Sequence, residues 1–139
     1  MSIDMYHFDG AVDNWVRDNV RKFYEDNIYP NLTKHQKVLL VPGAFGSRYN
    51  RHPNGSYICD RECYDKMCAK DSVDFYDWAK SDPRVVGITP WNWEGCSSPS
   101  CQIFGGGCEI GARDQPATRV AWFKIGDEIK KSRAADIAA

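Results

Sequence analysis

The sequence predicts an α/β protein made of parallel strand-helix units, and three observations carry that prediction. Short apolar or β-branched runs recur at Ser2 to Phe8, Lys37 to Val41 and Val85 to Thr89. Each is followed by a stretch with apolar residues three and four apart, the period of a helix with one apolar face. Strands and helices in alternation imply parallel strands joined by right-handed crossovers.

The first unit opens with an apolar-polar alternation that ends in the turn pair Asp9-Gly10. Val12, Trp15, Val16, Val20, Phe23, Tyr24 and Ile28 then form an apolar stripe, with Arg17, Asp18, Arg21, Lys22 and Glu25 between them. That helix must end by Tyr29, because Pro30 disfavours helical geometry in the residue before it. In the second unit, the continuous Val38-Leu39-Leu40-Val41 predicts a strand buried on both faces, ended by Pro42-Gly43. A polar stretch, Ser47 to Ser56, leads to a helix carrying Tyr64, Met67, Cys68, Phe75 and Trp78, whose period falters from Ala69 to Val73. Asp82-Pro83 closes it. The third unit has the buried-type strand Val85-Val86-Gly87-Ile88-Thr89, which runs into Pro90-Trp91-Asn92-Trp93-Glu94. After a loop from Gly95 to Gly111, Asp114 as cap and Pro116 in the first turn announce a helix with Ala121, Trp122, Ile125 and Ile129 on one side. No linker interrupts the chain, so residues 1–139 read as one domain. Three parallel strands leave two unpaired edges, which calls for an upstream segment or a second chain to cover them.

Composition excludes several classes. With 42% hydrophobic and 13% aromatic residues, the 139-residue chain is too apolar for a disordered one. Eighteen basic against 19 acidic residues give a net charge of -1, which provides no field to recruit nucleic acid or an anionic membrane. The longest apolar run, Val38 to Val41, is far short of the roughly 18 residues a spanning helix needs. Nothing calls for a cofactor: Gly105-Gly106-Gly107 lacks both the strand-to-helix context and the Lys-Ser/Thr ending of a phosphate loop.

Six cysteines, Cys59, Cys63, Cys68, Cys96, Cys101 and Cys108, fall in the regions after the second and third strands. Their spacings, C-x3-C-x4-C and C-x4-C-x6-C, lack the close C-x2-C pairs of zinc sites, so no metal is expected and disulfides are the better reading. Such bridges would brace the long loops and pre-shape a cleft. Two glycosylation sequons, at Asn31 and Asn54, join the cysteines as marks of an exported protein. Met1 to Tyr6, however, lacks the basic start and apolar stretch of a secretory signal. The two are reconciled if the chain is the carboxy-terminal part of a longer secreted protein. The alternative is a cytosolic protein with reduced thiols.

In a parallel α/β fold the carboxyl ends of the strands form the functional rim. Here they deliver Asp4, Tyr6, His7 and Asp9, then Pro42, Gly43, Phe45 and Ser47, then Trp91, Asn92, Trp93 and Glu94. Carboxylates among aromatic rings suit a sugar, whose apolar ring faces stack on aromatics while its hydroxyls need acceptors. Asp4 and Tyr6 share strand parity, as do Trp91 and Trp93, so each pair points one way. Packing alone would also account for the tryptophans, and solvent exposure for Glu94.

Ile3-Asp4-Met5-Tyr6, Val38 to Gly43 and Gly87 to Trp93 resemble strands six, seven and eight of a (β/α)8-barrel glycoside hydrolase. The resemblance covers nearly all of the chain but only three-eighths of such a barrel, and it implies a partial, three-unit TIM-type barrel. It also implies that Tyr6 supports a nucleophile and that Trp91 or Trp93 lines a sugar subsite. One departure puts catalysis in doubt: where the large retaining clan carries its nucleophilic Glu, this chain reads Pro42-Gly43-Ala44-Phe45-Gly46-Ser47. Asp4 and Glu94 are then the candidate catalytic carboxylates, with Tyr6, Trp91 and Trp93 binding substrate. The expectation is a secreted, carbohydrate-active protein; the alternative is a non-catalytic, disulfide-braced carbohydrate-binding or interaction protein.

Overall fold

The computed structural model describes residues 4–5, 14–43, 45–46, 61–91 and 110–138. Within them the elements run β1 (Asp4–Met5), a wide helix over 15–28, β2 (Val38–Pro42), β3 (Phe45–Gly46), α1 (Arg61–Ser81), β4 (Val85–Ile88), β5 (Ile110–Gly111) and α2 (Pro116–Ala138).

The wide helix is entered from Asn14, whose φ of 62° is left-handed, a conformation that Asn tolerates better than most residues. Its turns open to the π form over Val16–Arg21 and again over Tyr24–Ile28. The sequence shows why this suits the core. The residues that become buried are Val16, Val20, Tyr24 and Ile28, each four apart. On a regular α-helix of 3.6 residues per turn, a four-residue spacing drifts steadily round the axis, by about 40° per step. Wider turns cancel that drift and keep the stripe on one line. Phe23, expected on the stripe, is turned partly to solvent. A 3-10 turn, Tyr29–Asn31, ends the helix around Pro30, as the proline requires.

β2 is the central strand of a short parallel sheet in the order β1-β2-β4. β1 pairs with it over two residues only, Asp4 with Val41 and Met5 with Pro42. β4 pairs through Val38–Val85, Leu39–Gly87 and Leu40–Ile88, with an irregularity between the first two pairs. Val38, Leu40 and Val85 meet the stripe of the wide helix and Phe75 and Trp78 of α1 in one core. The Tyr24 and Trp78 rings meet edge to face at 5.2 Å, and Phe75 stacks on Trp78 at 6.0 Å. The opposite face is open. Leu39 is 38% exposed, and Val86, which the irregular register leaves without a partner on β2, is 67% exposed, so the expectation that these strands are buried on both faces is overturned: the helices cover one side only. Leu39 lies over Gly87, with its Cδ1 3.1 Å from where a Cβ would stand.

α1 is continuous where the periodicity faltered. Asp71 and Ser72 are buried polar members of its inner face, and Ser72 Oγ donates to the Cys68 carbonyl at 2.7 Å. The start of α2 is likewise held by a distant residue. Asp65 of α1 accepts from the backbone N–H groups of Ala117 and Thr118 at 2.9 and 2.8 Å, and Thr118 Oγ1 donates to the Asp65 carbonyl at 3.0 Å. The expected cap, Asp114, stands instead at the exposed end of a 3-10 turn, paired with Arg113 at 3.3 Å. Thr118, Ala121 and Ile125 are buried, whereas Ile129, expected on the same stripe, is exposed.

These features correct the expected architecture. The protein is mixed α/β, but it is not a partial, three-unit TIM-type barrel. Helix dominates the described residues, and only β2 and β4 form a parallel pair longer than two residues. β3 and β5 pair antiparallel, Phe45 with Gly111 and Gly46 with Ile110, which a barrel of parallel strands does not contain. The closing helix packs along α1 instead of forming a third crossover over the sheet. The physical reason lies at its amino end: Asp65 satisfies the first-turn N–H groups, and that anchors α2 to a helix.

Candidate functional site

Of the sequence-predicted site residues, Asp4 and Trp91 are among the described residues, and both lie toward the carboxyl end of the parallel sheet. The β2–β4 ladder continues past β4, as Thr89 N–H donates to the Leu40 carbonyl and Trp91 N–H to the Pro42 carbonyl, both at 2.9 Å. Trp91 thereby forms a parallel bridge with Gly43. On the other flank of β2, Asp4 stands opposite Val41. Asp4 and Trp91 therefore occupy the two strands flanking β2, whose backbones are separated by twice the interstrand spacing, about 10 Å. Trp91 is 53% exposed although its backbone is held in the ladder, so an aromatic ring stands at the strand ends on a fixed base. Tyr6, Trp93 and Glu94 lie outside the described residues, as do Asn54, Cys59, Cys96, Cys101 and Cys108. Asn31, in the first sequon, is exposed, and its Nδ2 donates to the Asn27 carbonyl at 2.8 Å.

No disulfide joins the two cysteines among the described residues. Cys68, expected in a disulfide, is instead a buried thiol on α1, while Cys63 is a half-cystine whose partner is not among those residues. No helix among the described residues is long and apolar enough to cross a membrane.

A second polar cluster was not foreseen from the sequence. The buried Asp82 carboxylate accepts from Arg84 Nε and Nη2 at 2.8 Å each and from the Arg84 backbone N–H at 3.0 Å. It also accepts from the Tyr29 hydroxyl at 2.9 Å and from Trp78 Nε1 at 3.3 Å. The Arg84 guanidinium lies over the Tyr29 ring, 3.5 Å from its centre. Burial alone would push the Asp82 carboxyl up. The Arg84 hydrogen bonds, followed by those of Tyr29 and Trp78, outweigh it and hold the group far below the usual carboxylate range. Burial, then the hydrogen bond to this carboxylate, pushes the Tyr29 hydroxyl well above its usual range.

This cluster sits at the amino ends of β2 and β4, where Val85 N–H donates to the Asp82 carbonyl and Val38 N–H to that of Arg84. An ionised carboxylate so fully satisfied has little capacity left for a substrate, and its position away from the carboxyl ends of the strands fits a staple that joins the turn after the wide helix, the end of α1 and the start of β4. Asp82-Pro83 was legible as a helix stop; the tyrosine 53 residues upstream that completes the cluster was not.

No family model, curated protein or solved structure matches the chain. Nothing in these comparisons identifies a glycoside hydrolase.

Proposed function

We propose that the protein binds carbohydrate at the carboxyl end of its parallel sheet without cleaving it. The observation that carries this reading is Trp91, half exposed on a backbone held between Pro42 and Gly43. With the backbone held in this way, the chain loses little freedom when a pyranose face stacks on the ring it carries, so more of the apolar contact is realised as affinity. The sequence-based expectation for Asp4, an acceptor for sugar hydroxyls, extends the proposal to the strand on the other flank of β2, where Asp4 pairs in register with Val41. The hydrolytic reading loses its scaffold with the barrel, since cleavage generally needs two carboxyl groups set about 5–5.5 Å or 6.5–9.5 Å apart. Secretion belongs to the same proposal: the Cys63 half-cystine and the exposed Asn31 sequon suit an oxidising, glycosylating compartment.

Titration with soluble cello-, xylo- and chito-oligosaccharides, followed by calorimetry, tests the proposal. At least one series should bind saturably, and Trp91→Ala should weaken it tenfold or more while leaving the thermal midpoint within a few degrees. A folded wild-type protein that binds none of the three overturns the reading. Release of new reducing ends would convert it into a hydrolytic one.

A further inference from the structure

A cleft of about 260 Å3 opens between the start of the wide helix and the carboxy-terminal half of α1. Arg17 and Arg21 line one wall and Asp74 and Asp77 the other, with the buried side chains of Val16 and Trp78 as the floor. Each charged group is engaged on its own helix, but only in part. Arg21 uses Nε on Glu25 at 3.0 Å, and Arg17 uses Nε and Nη2 on Asp18 at 2.6 and 3.0 Å. Asp74 Oδ2 accepts from Lys70 at 2.7 Å, and Asp77 Oδ1 pairs with Lys80 at 3.0 Å. Among the described residues this leaves both Nη nitrogens of Arg21, one of Arg17 and one oxygen of each aspartate uncommitted.

Two cations face two anions, so the four lining charges cancel. A simple anion or cation attracted by one wall is repelled by the other. A ligand carrying both signs gains at both walls, and a small apolar part can meet the Val16–Trp78 floor. The volume lies just below the roughly 300 Å3 at which drug-sized sites begin. We propose that the cleft binds a small zwitterion of the α-amino acid class, with its carboxylate on Arg21 and Arg17 and its ammonium group on Asp74 and Asp77. The site is separate from the strand-end site and independent of it.

The test is calorimetric titration of the whole chain with L-leucine, N-acetyl-L-leucine and L-leucinamide at low salt. L-Leucine should bind saturably, and each single-charge analogue should bind at least tenfold more weakly. Arg21→Gln and Asp77→Asn should each lose tenfold or more. Both positions are at the surface, so far-UV circular dichroism should match wild type. Raising the salt to 0.5 M should weaken binding further, because exposed charges are screened. Absence of saturable binding by L-leucine overturns the proposal. So does equal binding of the three compounds, or undiminished binding in both correctly folded variants.

Discussion

At the scale of the residue, Asp82 shows how one carboxylate holds three elements together. Five donor contacts from Tyr29, Trp78 and Arg84 converge on it, and its side chain is 2% exposed. Removing one member of a buried, hydrogen-bonded pair strands the other, typically at about 3–5 kcal/mol. Asp82→Ala should lower stability by that order in urea unfolding at pH 7. The pH dependence has a definite sign. The folded group titrates well below its ordinary value of 3.8, so its contribution is complete above that value and is lost as pH falls through the folded one. Asp82→Asn cannot ionise, so the stability gap between wild type and this variant should be constant near neutrality and close below about pH 4. A gap unchanged at pH 2.5 would mean that the carboxylate is not held ionised by its partners. This cluster was only half legible in the sequence. Arg84 is two residues from Asp82, but Tyr29 reaches it only once the wide helix has packed beside α1.

At the scale of the element, the stripes were legible because they are local. Val16, Val20, Tyr24 and Ile28 can be picked out by spacing alone, and all four are buried. Spacing does not report the opening of the turns, which adjusts the helix to the sheet. Capping was misread for a related reason. Asp114 has the right residue type at the right place before Pro116, yet Asp65 supplies the acceptors from α1. Asp65→Ala would leave two backbone donors, one of them buried, without an acceptor, a loss of about 1–3 kcal/mol. Amide exchange should then accelerate first at Ala117 and Thr118. Equal acceleration along the whole of α2, with no early loss at its start, would count against Asp65 as the anchor.

At the scale of the molecule, the question is which surfaces of the sheet are covered. Val85 and Val86 are neighbours in sequence, but one is buried in the core and the other is 67% exposed. Val85→Thr places a hydroxyl among apolar side chains and should cost about 1–3 kcal/mol, whereas Val86→Thr should stay within about 0.5 kcal/mol. Thermal denaturation of the two variants separates this two-layer arrangement from a sheet buried on both faces, in which both substitutions would be costly. The strand-end residues were selected from the sequence by the rule that parallel strands present function at their carboxyl ends, and the backbones of Asp4 and Trp91 lie on the two flanks of β2. The opposed charges of the cleft were not selected, because Arg17 and Arg21 lie more than fifty residues from Asp74 and Asp77 and come together only by packing. The sequence by itself determined the alternation of elements, the apolar stripe of the wide helix and the existence of β2, since the stripe follows from a spacing of about four and the strand from a continuous apolar run. Only the tertiary structure decided that α2 docks on α1, that one face of the sheet stays open and that no barrel forms. Those outcomes turn on hydrogen bonds and contacts between residues far apart in sequence, such as Asp65 with Thr118 and Tyr29 with Asp82, to which no local period is sensitive.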